Sequence, residues 1–127
     1  MAKLYLQFNA VLYLLFVLWC TVKREQTAAA SGYMTLSNSG WCEYLVIYGG
    51  LQLGLAAFYG YTAYHPPYHW IALLFSILIY SAIALYRIGF AWAYWPVSKL
   101  TIYIAALEIL LLIGALIIFA YTPEIQR

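Results

Sequence analysis

Four long apolar runs fill most of the sequence, and three more polar stretches separate them. An α-helix rises about 1.5 Å per residue, so about 20 apolar residues cross the roughly 30 Å hydrocarbon core of a bilayer. The runs predict helices over residues 4–22, 42–64, 70–93 and 98–121. Residues 23–41 are rich in Ser, Gly and Asn, which predicts a loop between the first two helices.

Composition places these helices in a membrane. The chain is 67% hydrophobic and 8% charged, whereas soluble domains carry about 25% charged residues. Its 127 residues leave room for a single transmembrane domain, residues 1–127. We therefore expect an all-α polytopic membrane protein whose first partner is the lipid bilayer. The formal net charge of +2 comes without a Lys/Arg cluster, so nucleic acid is not an expected partner.

Short connections predict the order of the helices in space. The prolines Pro66 and Pro67 cannot continue a helix and predict a tight turn, and Pro96 ends the third run. Residues 37–40 (Ser-Asn-Ser-Gly) offer possible N-caps for the second helix, Ser98 can cap the fourth, and Pro123 follows the fourth. Helices joined by short loops are antiparallel neighbours, so the sequence predicts an up-down four-helix bundle. Similar Lys and Arg numbers on the two sides leave its orientation open.

Three charged residues in or beside the apolar runs are candidates for a functional site. Glu43 opens the second helix, Arg87 lies late in the third, and Glu108 lies within the fourth. An unpaired charge near the bilayer centre costs from about 2.5 to more than 10 kcal/mol, so such groups usually pair or line a cavity. We expect Arg87 to bridge both carboxylates. Either this cluster then carries about one negative charge, or one carboxylate, with Glu108 the better candidate, binds a proton. Gln52 and Asn9 fall at a similar depth, and both are expected to join this polar cluster together with Tyr48.

Small residues beside this cluster indicate close contact between helices. Tyr48 is followed by Gly49 and Gly50, and Gly54 completes a Gly-x-x-x-Gly spacing. Glycines let helix backbones approach closely in lipid. We expect Gly49, Gly50 and Gly54 to mediate helix packing inside one protomer, with a dimerisation face as the other interpretation.

These residues resemble a known family. The pattern Glu-x4-Tyr-Gly-Gly-x3-Gly, an Arg late in the third helix and a Glu in the fourth are similar to a family of small bacterial four-helix membrane proteins of unknown function. The resemblance covers residues 31–116 and includes Glu43, Tyr48, Arg87 and Glu108. It departs at Leu45, where the family has a basic residue. The resemblance implies the four-helix fold and a bacterial inner (plasma) membrane location, but no activity.

Other kinds of chemistry find less support. His65 and His69 lack a neighbouring Cys, Asp or Glu, so no metal site is expected, and no cofactor is expected either. Cys20 and Cys42 fall at the same predicted membrane side, and their pairing is left open. Nothing supplies a nucleophile, a base and an orienting acid together, so no catalytic residues are predicted.

Two functional hypotheses remain. In the first, the protein is a non-catalytic membrane subunit or homo-oligomeric module, part of a larger complex, whose Glu/Arg/Glu cluster is structural. In the second, it is a small carrier or hydrophobic-ligand-binding protein with a proton-linked site at Glu108 and Arg87, and a lipid or quinone is a suitable ligand. The second requires a cavity at the level of these two residues.

Overall fold

The computed structural model describes residues 1–122, and every regular element in that range is helical. The elements are α1 (Ala2–Val22), α2 (Arg24–Ala30), α3 (Asn38–Leu45), a π-helical turn (Val46–Leu51), α4 (Gln52–Ala63), a 3-10 turn (Pro66–Tyr68), α5 (His69–Ala93) and α6 (Lys99–Ala120). The predicted all-α class is confirmed. Three helical segments are long and apolar enough to cross a membrane, namely Ala2–Val22, Pro66–Ala93 and Lys99–Ala120.

Helix ends agree with the cap residues in the sequence. Ser37 Oγ accepts a hydrogen bond from the Gly40 N–H over 3.2 Å, and Ser98 Oγ accepts one from the Thr101 N–H over 3.2 Å. Each serine thereby satisfies a backbone donor that the first helical turn leaves free. Because Ser37 is the cap, the second helical segment begins at Asn38, earlier than predicted. Pro123 lies outside the described residues.

Two features differ from the predicted helices. The expected loop over residues 23–41 contains the short helix α2, in which Thr27 and Ala28 are buried. The expected single helix over residues 42–64 is interrupted by the π-helical turn, so it is not one of the three long apolar helices. Gly49 and Gly50 lie inside this turn. Glycine favours the α-helix least among residues other than proline, so a change of helical winding is least costly there.

The helices associate in two antiparallel pairs. In the N-terminal pair, α1 runs along the π-helical turn and α4, and the rings of Tyr13 and Tyr59 stack with centroids 5.7 Å apart. In the C-terminal pair, α5 runs along α6. Contacts between the two pairs are fewer. Ala10, in the first half of α1, lies opposite Gly60, near the end of α4. The two helices of the N-terminal pair therefore run in opposite directions.

A group of polar and aromatic side chains joins the two pairs near one end. Tyr5 donates to the Leu111 carbonyl over 2.9 Å, Tyr80 donates to Asn9 Oδ1, and the hydroxyls of Tyr59 and Ser76 are 3.0 Å apart. We call this group the tyrosine cluster; its members are Tyr5, Asn9, Tyr13, Tyr59, Ser76 and Tyr80. Leu6, Ala72 and Leu73 are fully buried around it. The core therefore lies toward the Pro66–Tyr68 end.

The outer faces of the helices keep large apolar side chains exposed. Leu85 is 72% exposed and Trp92 is 88% exposed. Soluble monomers rarely expose continuous apolar surface of this kind, since water penalises it. The outward faces therefore suit a membrane environment.

Candidate functional site

Arg87 of α5 and Glu108 of α6 form an ion pair across the C-terminal pair. Arg87 Nε donates to Glu108 Oε2, and Nη2 donates to Oε1 over 2.7 Å, so the contact is bidentate. The two side chains are 29% and 14% exposed, which keeps the pair largely away from the outer surface. Charge-assisted bidentate contacts are among the stronger hydrogen bonds in proteins. The structure thus brings together the two charges that the sequence placed inside the helices.

The third charge predicted for this cluster, Glu43, is elsewhere. Glu43 is exposed, and within residues 1–122 it forms neither an ion pair nor a hydrogen bond with Arg87. Its neighbour Tyr44 occupies the inward face of α3 and donates to Thr27 Oγ1 over 2.8 Å. Successive helical residues point about 100° apart, so the two cannot both face inward. The expected Glu/Arg/Glu cluster is therefore wrong at Glu43, and the partly buried pair of Arg87 and Glu108 carries no surplus charge.

A cavity of about 300 Å³ lies between the two helix pairs and reaches the ion pair. We call it the inner cavity. Arg87 and Glu108 form part of its wall, together with Gln52, Tyr48 and Thr101. Its apolar wall includes the side chains Leu12, Phe16, Leu51, Leu55, Ile79, Ile83, Leu100, Ile104, Leu107 and Leu111. Small-molecule sites typically have such apolar walls with a few polar groups, and span about 300–1,000 Å³.

Gln52 and Tyr48 lie on the N-terminal pair, across the inner cavity from Arg87 and Glu108. Gln52 is partly buried and has no hydrogen-bond partner within residues 1–122. The Tyr48 hydroxyl is 3.5 Å from the Tyr33 hydroxyl, which is long for a hydrogen bond between hydroxyls. Both residues were predicted for the polar cluster, and both line the cavity without contacting the ion pair. Their polar atoms are therefore open to a molecule in the cavity.

Asn9 was also predicted for this cluster but belongs to the tyrosine cluster instead. It is fully buried, donates to the Tyr5 carbonyl over 2.9 Å and accepts from Tyr80. Tyr13 and Tyr80 line the inner cavity at its end nearest the tyrosine cluster. The tyrosine cluster thus forms the floor of the cavity. This role of the tyrosines was not predicted, although Ser76, Tyr80 and Ala84 share one helical face and are all buried.

The three glycines do not act alike. Gly49 is buried, and a Cβ there would lie 3.5 Å from Thr21 Oγ1 of α1. Gly50 and Gly54 are exposed, and a Cβ at either would meet nothing within 4 Å. The expectation of helix packing inside one protomer is therefore wrong for Gly50 and Gly54, because their face points away from α1.

The remaining candidates lie outside the inner cavity. Cys20 is buried, Cys42 is exposed, and both are free thiols. His65 Nδ1 lies 2.7 Å from the Tyr61 carbonyl and His69 Nε2 lies 3.2 Å from the Ala63 carbonyl. Both carbonyls lie in the last turn of α4, and the Tyr61 carbonyl also accepts a hydrogen bond from the Tyr64 N–H over 3.2 Å. Residues 1–122 contain no group of three or more His, Cys, Asp or Glu side chains arranged to hold a metal ion.

A shallower groove of about 460 Å³ lies on the other side of the ion pair. Its lining includes Tyr86, Phe90 and Tyr94, which follow one another along α5. Arg87 and Thr101 line both this groove and the inner cavity. Arg87 therefore borders both the inner cavity and the aromatic outer face of the C-terminal pair.

Comparison of the chain with protein-family models, with curated proteins and with solved structures finds no match. The function therefore has to be inferred from the geometry of the site itself.

Proposed function

We propose that the protein is a four-span integral membrane protein that binds a small amphiphilic molecule in its inner cavity. The spans are α1, residues 38–63, α5 and α6, arranged up and down as an antiparallel bundle. Three of them are long and apolar enough to cross a membrane. Residues 38–63 join them in this proposal because they run antiparallel to α1 along most of its length.

The observation that carries the ligand-binding function is the inner cavity at the level of Arg87 and Glu108. A purely structural ion pair would be stabilised best by close packing on all sides, since an empty space deprives its lining of contacts. Here the pair borders a cavity of about 300 Å³ with apolar walls and the unpaired amide of Gln52. Such a site suits a molecule with an apolar body and a polar head. A lipid or quinone has this form, and the aromatic groove beside Arg87 offers a route from the bilayer.

The decisive experiment fills the cavity and compares what the purified protein carries. Ile104→Trp places a large ring in the inner cavity, whereas the matched control Ile102→Trp lies on the same helix at an exposed position outside its lining. Native mass spectrometry should find a co-purifying amphiphile on the wild type and on Ile102→Trp. It should be absent from Ile104→Trp.

A second cavity-filling variant tests the same function in case Ile104→Trp does not fold. Leu51→Trp fills the cavity from the N-terminal pair, and its control Leu53→Trp is similarly exposed but does not line the cavity. If folded Ile104→Trp and Leu51→Trp both carry as much amphiphile as their controls, the ligand-binding function is wrong.

A second candidate function is that of a homo-oligomeric module or a subunit of a larger membrane complex. The observation favouring it is the exposed face of Gly50 and Gly54, whose spacing suits close contact with another helix in lipid. Gly54→Leu should then shift the protein from oligomer to monomer in detergent, as measured by light scattering. An unchanged mass would remove this candidate.

The bacterial inner membrane is the location that we propose. Its support is the resemblance of the Glu43, Tyr48, Arg87 and Glu108 pattern to small bacterial membrane proteins, together with the apolar helices. Fractionation of cells that express the full chain tests this location.

A further inference from the structure

Arg87 keeps N–H donors that its contact with Glu108 does not use. A guanidinium carries five N–H donors and no acceptor. Nε and Nη2 donate to Glu108, while Nη1 has no acceptor within residues 1–122. The side chain lines the inner cavity and is 29% exposed. Arg87 also lines the groove beside the cavity, so these unused donors are open to a molecule that contacts Arg87.

Gln52 adds further donors on the opposite wall. Its side-chain amide carries two N–H donors and one acceptor oxygen, and none of them has a partner within residues 1–122. Together Arg87 and Gln52 offer the cavity more donors than acceptors. The complementary head group is one that accepts hydrogen bonds.

The charge of the cavity wall favours a neutral hydrogen-bond acceptor over an anionic one. Within the described chain, Arg87 and Glu108 are the charged residues of the lining, and they neutralise each other. An anionic head would compete with Glu108 for Arg87, or would add an uncompensated charge among apolar side chains. Both are unfavourable, because buried charges need partners. A carbonyl oxygen accepts the same hydrogen bonds without adding charge.

We infer that the inner cavity binds a neutral amphiphile whose head carries a carbonyl group, with Arg87 and Gln52 donating to the carbonyl oxygens. This inference rests on the proposed ligand-binding function and specifies its ligand class. A quinone ring and the ester of an acylglycerol share this chemistry. The apolar side chains of the wall hold the rest of the molecule.

The test compares three probes with the purified full-length protein in detergent. Decylubiquinone supplies a quinone carbonyl, monoolein a neutral ester carbonyl, and oleate a carboxylate. Dissociation constants are measured for the wild type, for Gln52→Leu, and for the control Gln26→Leu, which lies exposed on α2. Binding counts as specific where Ile104→Trp abolishes it and Ile102→Trp retains it.

We expect at least one neutral probe to bind specifically and about tenfold more tightly than oleate. Gln52→Leu should weaken that binding about three- to tenfold, the loss typical of one hydrogen bond, and Gln26→Leu should not. The tighter of the two neutral probes distinguishes a quinone from an acyl lipid as the source of the carbonyl.

Specific binding of oleate as tight as that of the neutral probes overturns this inference and leaves the ligand-binding function standing. Neutral binding that Gln52→Leu leaves unchanged overturns it as well, because the amide is then not a donor. If no probe binds specifically and the purified protein carries no amphiphile, the inference and the proposed function both fail.

Discussion

Tyr80 of α5 donates a hydrogen bond to Oδ1 of Asn9 of α1, and this bond joins the two helix pairs. Both side chains are almost completely buried, at 1% and 0% exposure. The Asn9 amide is also used, since Nδ2 donates to the Tyr5 carbonyl over 2.9 Å. Fewer contacts connect the pairs than connect the helices within each pair, so we expect this polar contact to fix how the pairs meet.

Tyr80→Phe should destabilise the protein by about 1 kcal/mol, because it leaves Asn9 Oδ1 buried without a donor. The measurement is the free energy of unfolding in mixed micelles. Tyr86→Phe is the control, since Tyr86 is 68% exposed and its hydroxyl has no hydrogen-bond partner within residues 1–122. Equal losses in the two variants would show that the contact with Asn9 contributes nothing specific.

Arg87→Leu should cost about 3 kcal/mol, because it leaves the Glu108 carboxylate unpaired among apolar side chains. Adding Glu108→Leu should restore most of this loss, since the double variant buries no charge. A double-mutant cycle on thermal unfolding measures the coupling between the two residues. Additive losses would mean that the ion pair does not form in the protein as purified.

Glu43→Gln should change stability by less than about 0.5 kcal/mol, as expected of an exposed residue without a partner. Glu108→Gln removes the charge that Arg87 contacts and should cost clearly more. Melting both variants under the same conditions compares the two carboxylates directly. A loss of stability in Glu43→Gln as large as that in Glu108→Gln would indicate that Glu43 does belong to the charged cluster.

One of the two cysteines should react with a thiol reagent in the folded protein. Cys42 is exposed and Cys20 is 3% exposed, so mass spectrometry after maleimide treatment should find one label. Cys42→Ser should abolish labelling, and Cys20→Ser should leave it unchanged. Two labels before unfolding would mean that the contact of α1 with α2 and α3 opens readily.

The proposed four spans place residues 31 and 97 on one side of the membrane and residue 66 on the other. Single cysteines at these positions, in a chain otherwise free of cysteine, can be labelled by a membrane-impermeant reagent in intact cells. Positions 31 and 97 should behave alike and position 66 oppositely. If position 31 labels with position 66, residues 38–63 do not cross the membrane.

Much of the fold followed from local chemistry. Apolar run length predicted three of the helices to within a few residues, and Ser98 was predicted as the cap of the last helix. For the second helix the sequence left residues 37–40 open as caps, and the structure selects Ser37. Arg87 and Glu108 were predictable as partners because a charge inside an apolar helix has few other ways to be stabilised. Each of these predictions depends only on the sequence of a single helix or turn.

The rest depends on which helix faces which. Their spacing would place Glu43 and Gly54 on one face of a regular α-helix, but the π-helical turn lies between them and shifts the faces on its two sides. Asn9 was expected at the depth of the predicted cluster, yet its partner is Tyr80, a contact that depends on how α1 and α5 pack against each other. The inner cavity is likewise a property of how two pairs fit together, and no single helix encodes it.

The floor made by the tyrosine cluster has a consequence for the membrane in which the protein would reside. Tyr59 and Ser76 are fully buried beneath the cavity and bond to each other, so this end of the molecule is filled. With the helices placed across a bilayer as proposed, water that enters the cavity from the side of residues 23–37 stops at the level of Tyr59 and Ser76. The bilayer would keep its ion gradients, and an occupant of the cavity would exchange with one leaflet alone.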